Sequence, residues 1–282
     1  MKMELWFTEK QTPSVGITCK VLRTLHREKT PFQDITVLDT EQFGRMLVLD
    51  GMVQTTIYDE FAYHEMLAHV PLNTHPHPCK VLIVGGGDGG TAREVLRHSR
   101  VERVTLVEID RRVVEISRRF LPELACSFDH PKMEVFFEDG VEYVKKKEGV
   151  YDVILVDSPE PIGQAARLFS AEFYEAVFRA LRPDGLFAAQ TESPFFNRDL
   201  ISSVYKKISR LFPIAKLYLA VVPTYPSGLW SFTIGSKKFD PESVDPKEIP
   251  SFPLRYYNSD VHFASFKLPD FVRELLCQEV KS

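Results

Sequence analysis

An apolar stretch, Val81-Leu82-Ile83-Val84, runs directly into Gly85-Gly86-Gly87-Asp88-Gly89-Gly90 and on into Thr91-Ala92-Arg93-Glu94-Val95-Leu96-Arg97. The order is strand, glycine turn, helix, and few folds accommodate it. Glycines suit such a turn because a Cβ would obstruct both the tight reversal and the close approach of a ligand to the backbone, while the helix N-terminus adds oriented N–H donors. Asp88 is the unexpected member. A carboxylate inside the loop disfavours a pyrophosphate or carboxylate there and favours a ligand with a cationic amine. Glu108 lies twenty residues further on and closes the next apolar run, Val104-Thr105-Leu106-Val107. This is the spacing at which an acid hydrogen-bonds ribose hydroxyls in nucleotide-binding α/β folds.

From the glycine turn onward strands and helices alternate. Strands are expected at 81–84, 104–108, 133–137, 151–156 and 186–190, with helical patterns at 91–98, 111–120, 140–147, 170–181 and 197–211. Such alternation implies βαβ crossovers and a mostly parallel α/β sheet. The runs 216–221 and 230–234 are separated by a short Pro-Tyr-Pro-Ser-Gly turn and should form an antiparallel edge. Residues 4–56 read differently, as β-branched segments (17–22, 32–38 and 46–49) broken by turn residues, hence antiparallel strands and hairpins. A helical pattern at 58–70 and a proline-rich loop at 71–78 lead into the glycine-turn strand. The expected division is a β domain at 1–57 and a larger α/β domain at 58–282.

The composition excludes several classes. A chain of 282 residues with 44% hydrophobic content can bury a substantial core. It has no run of eighteen apolar residues and no early apolar segment of signal-peptide length, so a cytoplasmic location away from membranes is expected. A net charge of −4 argues against a nucleic-acid surface, and Lys145-Lys146-Lys147 reads as a solvated helix face. Cys19, Cys79, Cys126 and Cys277 lack metal-ligand spacing and are expected to be free thiols. His69, His75 and His77 lie in one short segment, but the proline loop at 73–78 offers neither i, i+4 geometry nor a nearby carboxylate, and no metal site is expected.

Ligands of open α/β sheets bind beyond the carboxyl ends of the strands, and here those ends carry acids. Asp88 follows the first, Glu108 ends the second, Asp139-Gly140 follows the third, and Asp157-Ser158-Pro159-Glu160 follows the fourth. Their mutual repulsion calls for a cation or several hydrogen-bond donors among them. Glu108 and Asp139 suit the ribose diol and exocyclic amine of an adenosine, leaving Asp88, Asp157 and Glu160 for positive charge. Acids after strands also serve as N-caps of the next helix, and that role stays open for Glu108 and Asp139.

Several blocks resemble the spermidine synthase family, the polyamine aminopropyltransferases. They are Tyr58-Asp59-Glu60-Phe61-Ala62-Tyr63-His64-Glu65-Met66, the glycine turn through Glu94, and Pro223-Thr224-Tyr225-Pro226-Ser227-Gly228, with Phe32-Gln33-Asp34, Val107-Glu108-Ile109-Asp110 and Glu138-Asp139-Gly140 also fitting. The resemblance implies a small N-terminal β domain, a Rossmann-like methyltransferase-type domain, and assembly as a homodimer or homotetramer. It also implies decarboxylated S-adenosylmethionine as co-substrate, with no further cofactor, and putrescine as acceptor. Carried over, Gln33, Gly85, Gly87, Glu108, Asp139, Gly140 and Gln164 would hold the nucleoside. Tyr63, His64, Asp88, Asp157, Ser158, Glu160 and Tyr225 would line the aminopropyl and diamine path. The loop departs from the usual family pattern at Pro159 and Gln164, in a segment (158–168) expected to close over the substrates.

The implied reaction is a displacement in which an amine nitrogen attacks the propyl carbon beside the sulfonium and methylthioadenosine leaves. An alkylamine with a pKa near ~10.4 is protonated at neutral pH, and an ordinary aspartate near ~3.9 is a poor base for it. Asp157 is therefore expected to orient the amine and stabilise its growing charge, with Tyr63 or water carrying the proton. The alternatives are a small-molecule amine N-methyltransferase using S-adenosylmethionine, against which Asp88 argues, and a non-catalytic polyamine-binding regulator.

Overall fold

The computed structural model describes residues 4–161 and 163–277. The N-terminal strands are β1 (Leu5–Lys10), β2 (Gly16–Lys29), β3 (Asp34–Thr40), β4 (Gly44–Leu49) and β5 (Met52–Thr56). They form an antiparallel five-stranded sheet in sequential order. Then come α1 (Glu60–Thr74), β6 (Lys80–Gly85), α2 (Gly90–Val95), β7 (Arg103–Glu108), α3 (Arg111–Phe120), α4 (Pro122–Ala125), β8 (Met133–Phe137), α5 (Gly140–Lys145) and β9 (Tyr151–Asp157). The chain continues through α6 (Ala171–Ala180), β10 (Leu181–Gln190), α7 (Arg198–Leu211), β11 (Ile214–Val221), β12 (Leu229–Ser236), α8 (Ser259–Ala264) and α9 (Asp270–Cys277).

The second sheet has the order β11-β12-β10-β9-β6-β7-β8. It is parallel from β10 to β8, and β12 and β11 add the antiparallel edge. Its central strands are apolar throughout because both faces are covered. Val81, Ile83, Leu106, Val153 and Leu155 join the core under α1, while Leu82, Val84, Val107, Ile154 and Val156 join the core under α5, α6 and α7. The period-two alternation thus splits one run of valines and leucines between two layers. No helix among the described residues is long and apolar enough to cross a membrane.

Some expectations need correction. The proline loop was expected to begin at Pro71, yet α1 continues through Pro71 to Thr74. The helix is buried on almost every side, and that packing outweighs the hydrogen bond that proline forgoes. The third strand begins at Asp34 rather than at residue 32, leaving Phe32 half-exposed in the preceding turn. The helix expected to reach residue 98 ends at Val95. His69 lies on the expected helix but inside the core, and a carboxylate does stand beside it: Nδ1 meets His98 Nε2 at 2.8 Å and Nε2 meets Glu94 at 3.1 Å.

Candidate active site

The carboxyl ends of β6, β7 and β9 open into a cleft of about 250 Å³, roofed on one side by β4 and β5 of the N-terminal sheet. All the residues singled out from the sequence line it. The glycine turn makes this possible. Gly85 has φ +83°, and a Cβ there would stand 2.1 Å from the Asp157 carbonyl oxygen, so β6 and β9 could not come this close with any other residue.

The nucleoside end is built around Glu108. Its Oε1 accepts from the Asp110 N–H at 2.9 Å, Gly87 lies against its other oxygen, and burial pushes its pKa up to about 7. Gln33 reaches the cleft rim from the N-terminal domain, held by its Nε2 donating to Asp110 Oδ2 at 3.0 Å. Asp110, not Glu108, caps α3. Asp139 does cap its helix: Oδ1 accepts from the Val141 and Glu142 N–H groups, while Oδ2 receives Arg167 Nη1 at 2.6 Å. Gly140 follows at the floor, and Gln164 borders the cleft from the 3-10 turn Gly163–Phe169; Ile162 lies outside the described residues.

At the centre stands Asp157. Tyr63 Oη donates to its Oδ1 at 2.9 Å and Thr91 Oγ1 to its Oδ2 at 2.6 Å. Burial and the neighbouring Asp88 charge raise the Asp157 pKa from its ordinary value. Burial and Asp157 hold the Tyr63 phenol well above its ordinary value. Tyr63 therefore keeps its proton and gives Asp157 a fixed orientation, which argues against the expected proton-carrying role. Asp88 Oδ1 accepts from the Gly90 N–H at 2.7 Å, and its Oδ2 lies 3.4 Å from His64 Nε2. Burial works against ionising Asp88, but His64 and Gly90 keep its pKa low.

The far end is acidic and aromatic. Glu160 receives Gln54 Nε2 at 3.4 Å, and burial raises its pKa. Tyr225 packs edge-on against Tyr63 and Trp230 and donates to the Gln54 carbonyl. Asp59 secures this turn by accepting from the Thr224 N–H at 2.9 Å. Ser158 Oγ and Trp230 Nε1 face the cleft region, buried and with no hydrogen-bond partner among the described residues.

Sequence reasoning missed Glu192, Gln190 and Gln54, which line this end, and Glu9 behind it. Glu192 is 1% exposed, receives Gln190 Nε2 at 3.3 Å, and is pushed up to about 8 by burial and then by Glu160. It adopts φ +72°, a strained backbone for a non-glycine residue and the kind of strain that collects at functional sites. Glu9 is pushed up to about 7 by burial, its Oε2 accepting from the Val53 N–H at 2.8 Å. Glu192 was within reach of the rule already applied, since it follows a parallel strand just as Asp157 does. Glu9 carries no such signal, because its strand belongs to the other sheet.

Residues 60–247 match the family described as the spermine/spermidine synthase domain, and residues 5–56 match the spermidine synthase tetramerisation domain. Polyamine aminopropyltransferases are similar over almost the whole chain. That of Caldicellulosiruptor bescii is 55% identical over 275 residues, 98% of this chain and 99% of the relative. That of Bacillus subtilis is 53% identical over 273 residues, 97% and 99% of the two chains. A spermidine synthase solved with the transition state analogue AdoDATO superposes with a TM-score of 0.95 at 46% identity, covering 97% of this chain and 95% of the other. The spermidine synthase of Thermotoga maritima gives 0.92 at 44% identity, covering 98% and 95%.

Proposed function

This chain belongs to the spermine/spermidine synthase family, and from that premise we propose how its cleft moves an aminopropyl group from decarboxylated S-adenosylmethionine to putrescine, giving spermidine and methylthioadenosine. One observation carries the assignment of roles. Asp157, Glu160 and Glu192 stand along one cleft with no ion-pair partner among the described residues, their pKa values raised by burial. Such a row attracts a ligand with ammonium groups at both ends.

Glu108 takes the ribose hydroxyls. Asp139, Gly140, Gln33 and Gln164 surround the base, and Gly85 and Gly87 bring the backbone close. Asp88, steadied by His64, takes the donor's amine, so intact S-adenosylmethionine would bring its extra carboxylate against a carboxylate. Glu160, Glu192 and Tyr225 hold the far ammonium of the diamine, with Ser158 Oγ as a further hydrogen-bonding group. The near nitrogen, having given its ammonium proton to water, lies as the free amine beside Asp157, which Tyr63 and Thr91 fix in place, and attacks the propyl carbon in line with the departing sulfur. Asp157 stabilises the positive charge that grows on that nitrogen and receives its proton afterwards.

The division into domains at 57/58 belongs to this reading, supported by the end of the N-terminal sheet at Thr56. Assembly as a homodimer or homotetramer is supported by the tetramerisation-domain match and by Leu5, Trp6, Val15 and Leu22, exposed on or beside β1 and β2. A cytoplasmic site of action completes it. An end-point assay for methylthioadenosine with putrescine, cadaverine, agmatine and spermidine tests the reading. Putrescine should give the fastest release, whereas no release with any amine would favour a binding protein without catalysis.

A further inference from the structure

From His64 at the cleft wall beside Asp88, α1 and α2 share a buried row of charges that runs back into the protein. His64 Nε2 lies 3.4 Å from Asp88 Oδ2, and His64 Nδ1 lies 2.6 Å from Glu60 Oε2. Glu60 in turn receives Arg93 Nη2 on both oxygens, at 2.9 and 3.1 Å. Arg93 Nε continues to Glu94 Oε1 at 2.7 Å, and Glu94 is also held by Arg97 at 2.6 Å. The His64, Glu60 and Glu94 side chains are all under a tenth exposed.

Resting on the aminopropyl-transfer reading above, we propose that Glu60 and Arg93 are positioning residues of the reaction, acting through His64 to hold Asp88 ionised and in one orientation toward the donor's amine. A neutral imidazole has one N–H, yet both ring nitrogens of His64 face carboxylate oxygens, so both must carry a proton. The ring has one place to sit. A Cβ on Gly90 would come within 2.2 Å of His64 Cε1, and Tyr63 packs edge-on at 5.4 Å between centroids.

The groups facing the ring are Glu60 and Tyr63 from α1, Asp88 from the glycine turn, Arg93 from α2 beyond Glu60, and Asp157 from β9 beyond Tyr63. Burial alone would drive His64 toward its neutral form, but Asp88 and Glu60 together hold its pKa well above the ordinary value. His64 first, and Arg93 with it, keep Glu60 ionised despite its burial, and Glu94 balances Arg93 on the side away from the ring. The positive charge beside Asp88 is thus set two residues back from the cleft.

The test follows the His64 ring by NMR between pH 5.5 and 9.5, alongside the pH profile of kcat/KM for the donor. In the native protein the His64 resonances should show no titration across this range. In Glu60→Gln the ring should lose its proton within the range, and the donor KM should rise at least tenfold from pH 6 to pH 9 relative to the native ratio. Glu94→Gln touches Arg93 but not His64, and should lower thermal stability while leaving both curves in place. If Glu60→Gln does not fold, Glu60→Gln/Arg93→Met removes the stranded cation and carries the same expectation. A protonated His64 and a native profile in the folded Glu60 variant would overturn the proposal, as would an equal shift from Glu94→Gln. The NMR titration needs no turnover, so it separates this proposal from a failure of the aminopropyl-transfer reading.

Discussion

Replacing Asp157 by Asn removes one charge from the centre of the cleft while keeping the shape. The carboxylate now accepts from Tyr63 at 2.9 Å and from Thr91 at 2.6 Å. The amide retains one acceptor oxygen, and the Thr91 hydroxyl can turn to accept from the new NH₂. What disappears is the attraction between a carboxylate and the charge growing on the attacking nitrogen. Over ~4 Å at an effective dielectric of ~20 this is worth about 4 kcal/mol, or roughly three powers of ten in rate. We therefore expect kcat to fall by about 10²–10⁴-fold, in the range usual for a positioned acid–base group, with donor affinity little changed. Tyr63→Phe and Thr91→Val each remove one hydrogen bond to a charged group, about 1.5–3 kcal/mol, and should each cost less than Asp157→Asn. The assay is single-turnover release of methylthioadenosine by rapid quench at saturating putrescine. A kcat for Asp157→Asn within fivefold of native would refute the reasoning, and a larger loss from Tyr63→Phe would move the proton-handling role to the phenol.

Stability should depend on pH through the buried acids. Glu192 is raised to about 8, and Glu108 and Glu9 to about 7, so the native state holds protons that the unfolded chain has lost, and stability falls as pH climbs from about 4.5 through 8. Thermal melts from pH 5 to 8 should show a declining Tm, flattened by Glu192→Gln and by saturating putrescine; a rising Tm would contradict this. Glu192→Gln should also raise the KM for putrescine about tenfold to a hundredfold, the loss of a hydrogen bond to a charged group, while leaving 1-aminobutane, which lacks the far ammonium, unchanged. Equal effects on both amines would remove Glu192 from the anchoring role. Trp6 is 55% exposed on β1, and Trp6→Glu should shift the mass by light scattering toward the monomer, whereas an unaltered mass would place the interface elsewhere.

The elements that could be read from the sequence are those whose pattern is local. In α3 the buried Val113, Val114 and Ile116 recur at helical spacing behind the Asp110 cap, and the helix spans the expected residues. The glycine turn is legible because its conformation admits few side chains, as Gly85 shows. By contrast, α1 buries His64, Glu65 and His69 along with its apolar residues, so no amphipathic stripe marks its extent. Its polar groups are satisfied from far along the chain: Glu65 accepts from the N–H groups of Arg255, Tyr256 and Tyr257. The same limit applies to the site. Asp88 and Asp157 could be placed from strand ends, whereas Glu9 and Gln54 arrive from another sheet. Tyr63 acquires its role only through the register that sets it against Asp157.

The donor sulfonium carries both a methyl and an aminopropyl carbon open to attack, and the account stands on which one the amine reaches. Incubating stoichiometric protein with decarboxylated S-adenosylmethionine and putrescine, then resolving the products by mass spectrometry after one turnover, reads this directly. Aminopropyl transfer predicts equal amounts of spermidine and methylthioadenosine. N-Methylputrescine with the demethylated nucleoside, or donor left unconsumed in the presence of bound putrescine, would contradict it.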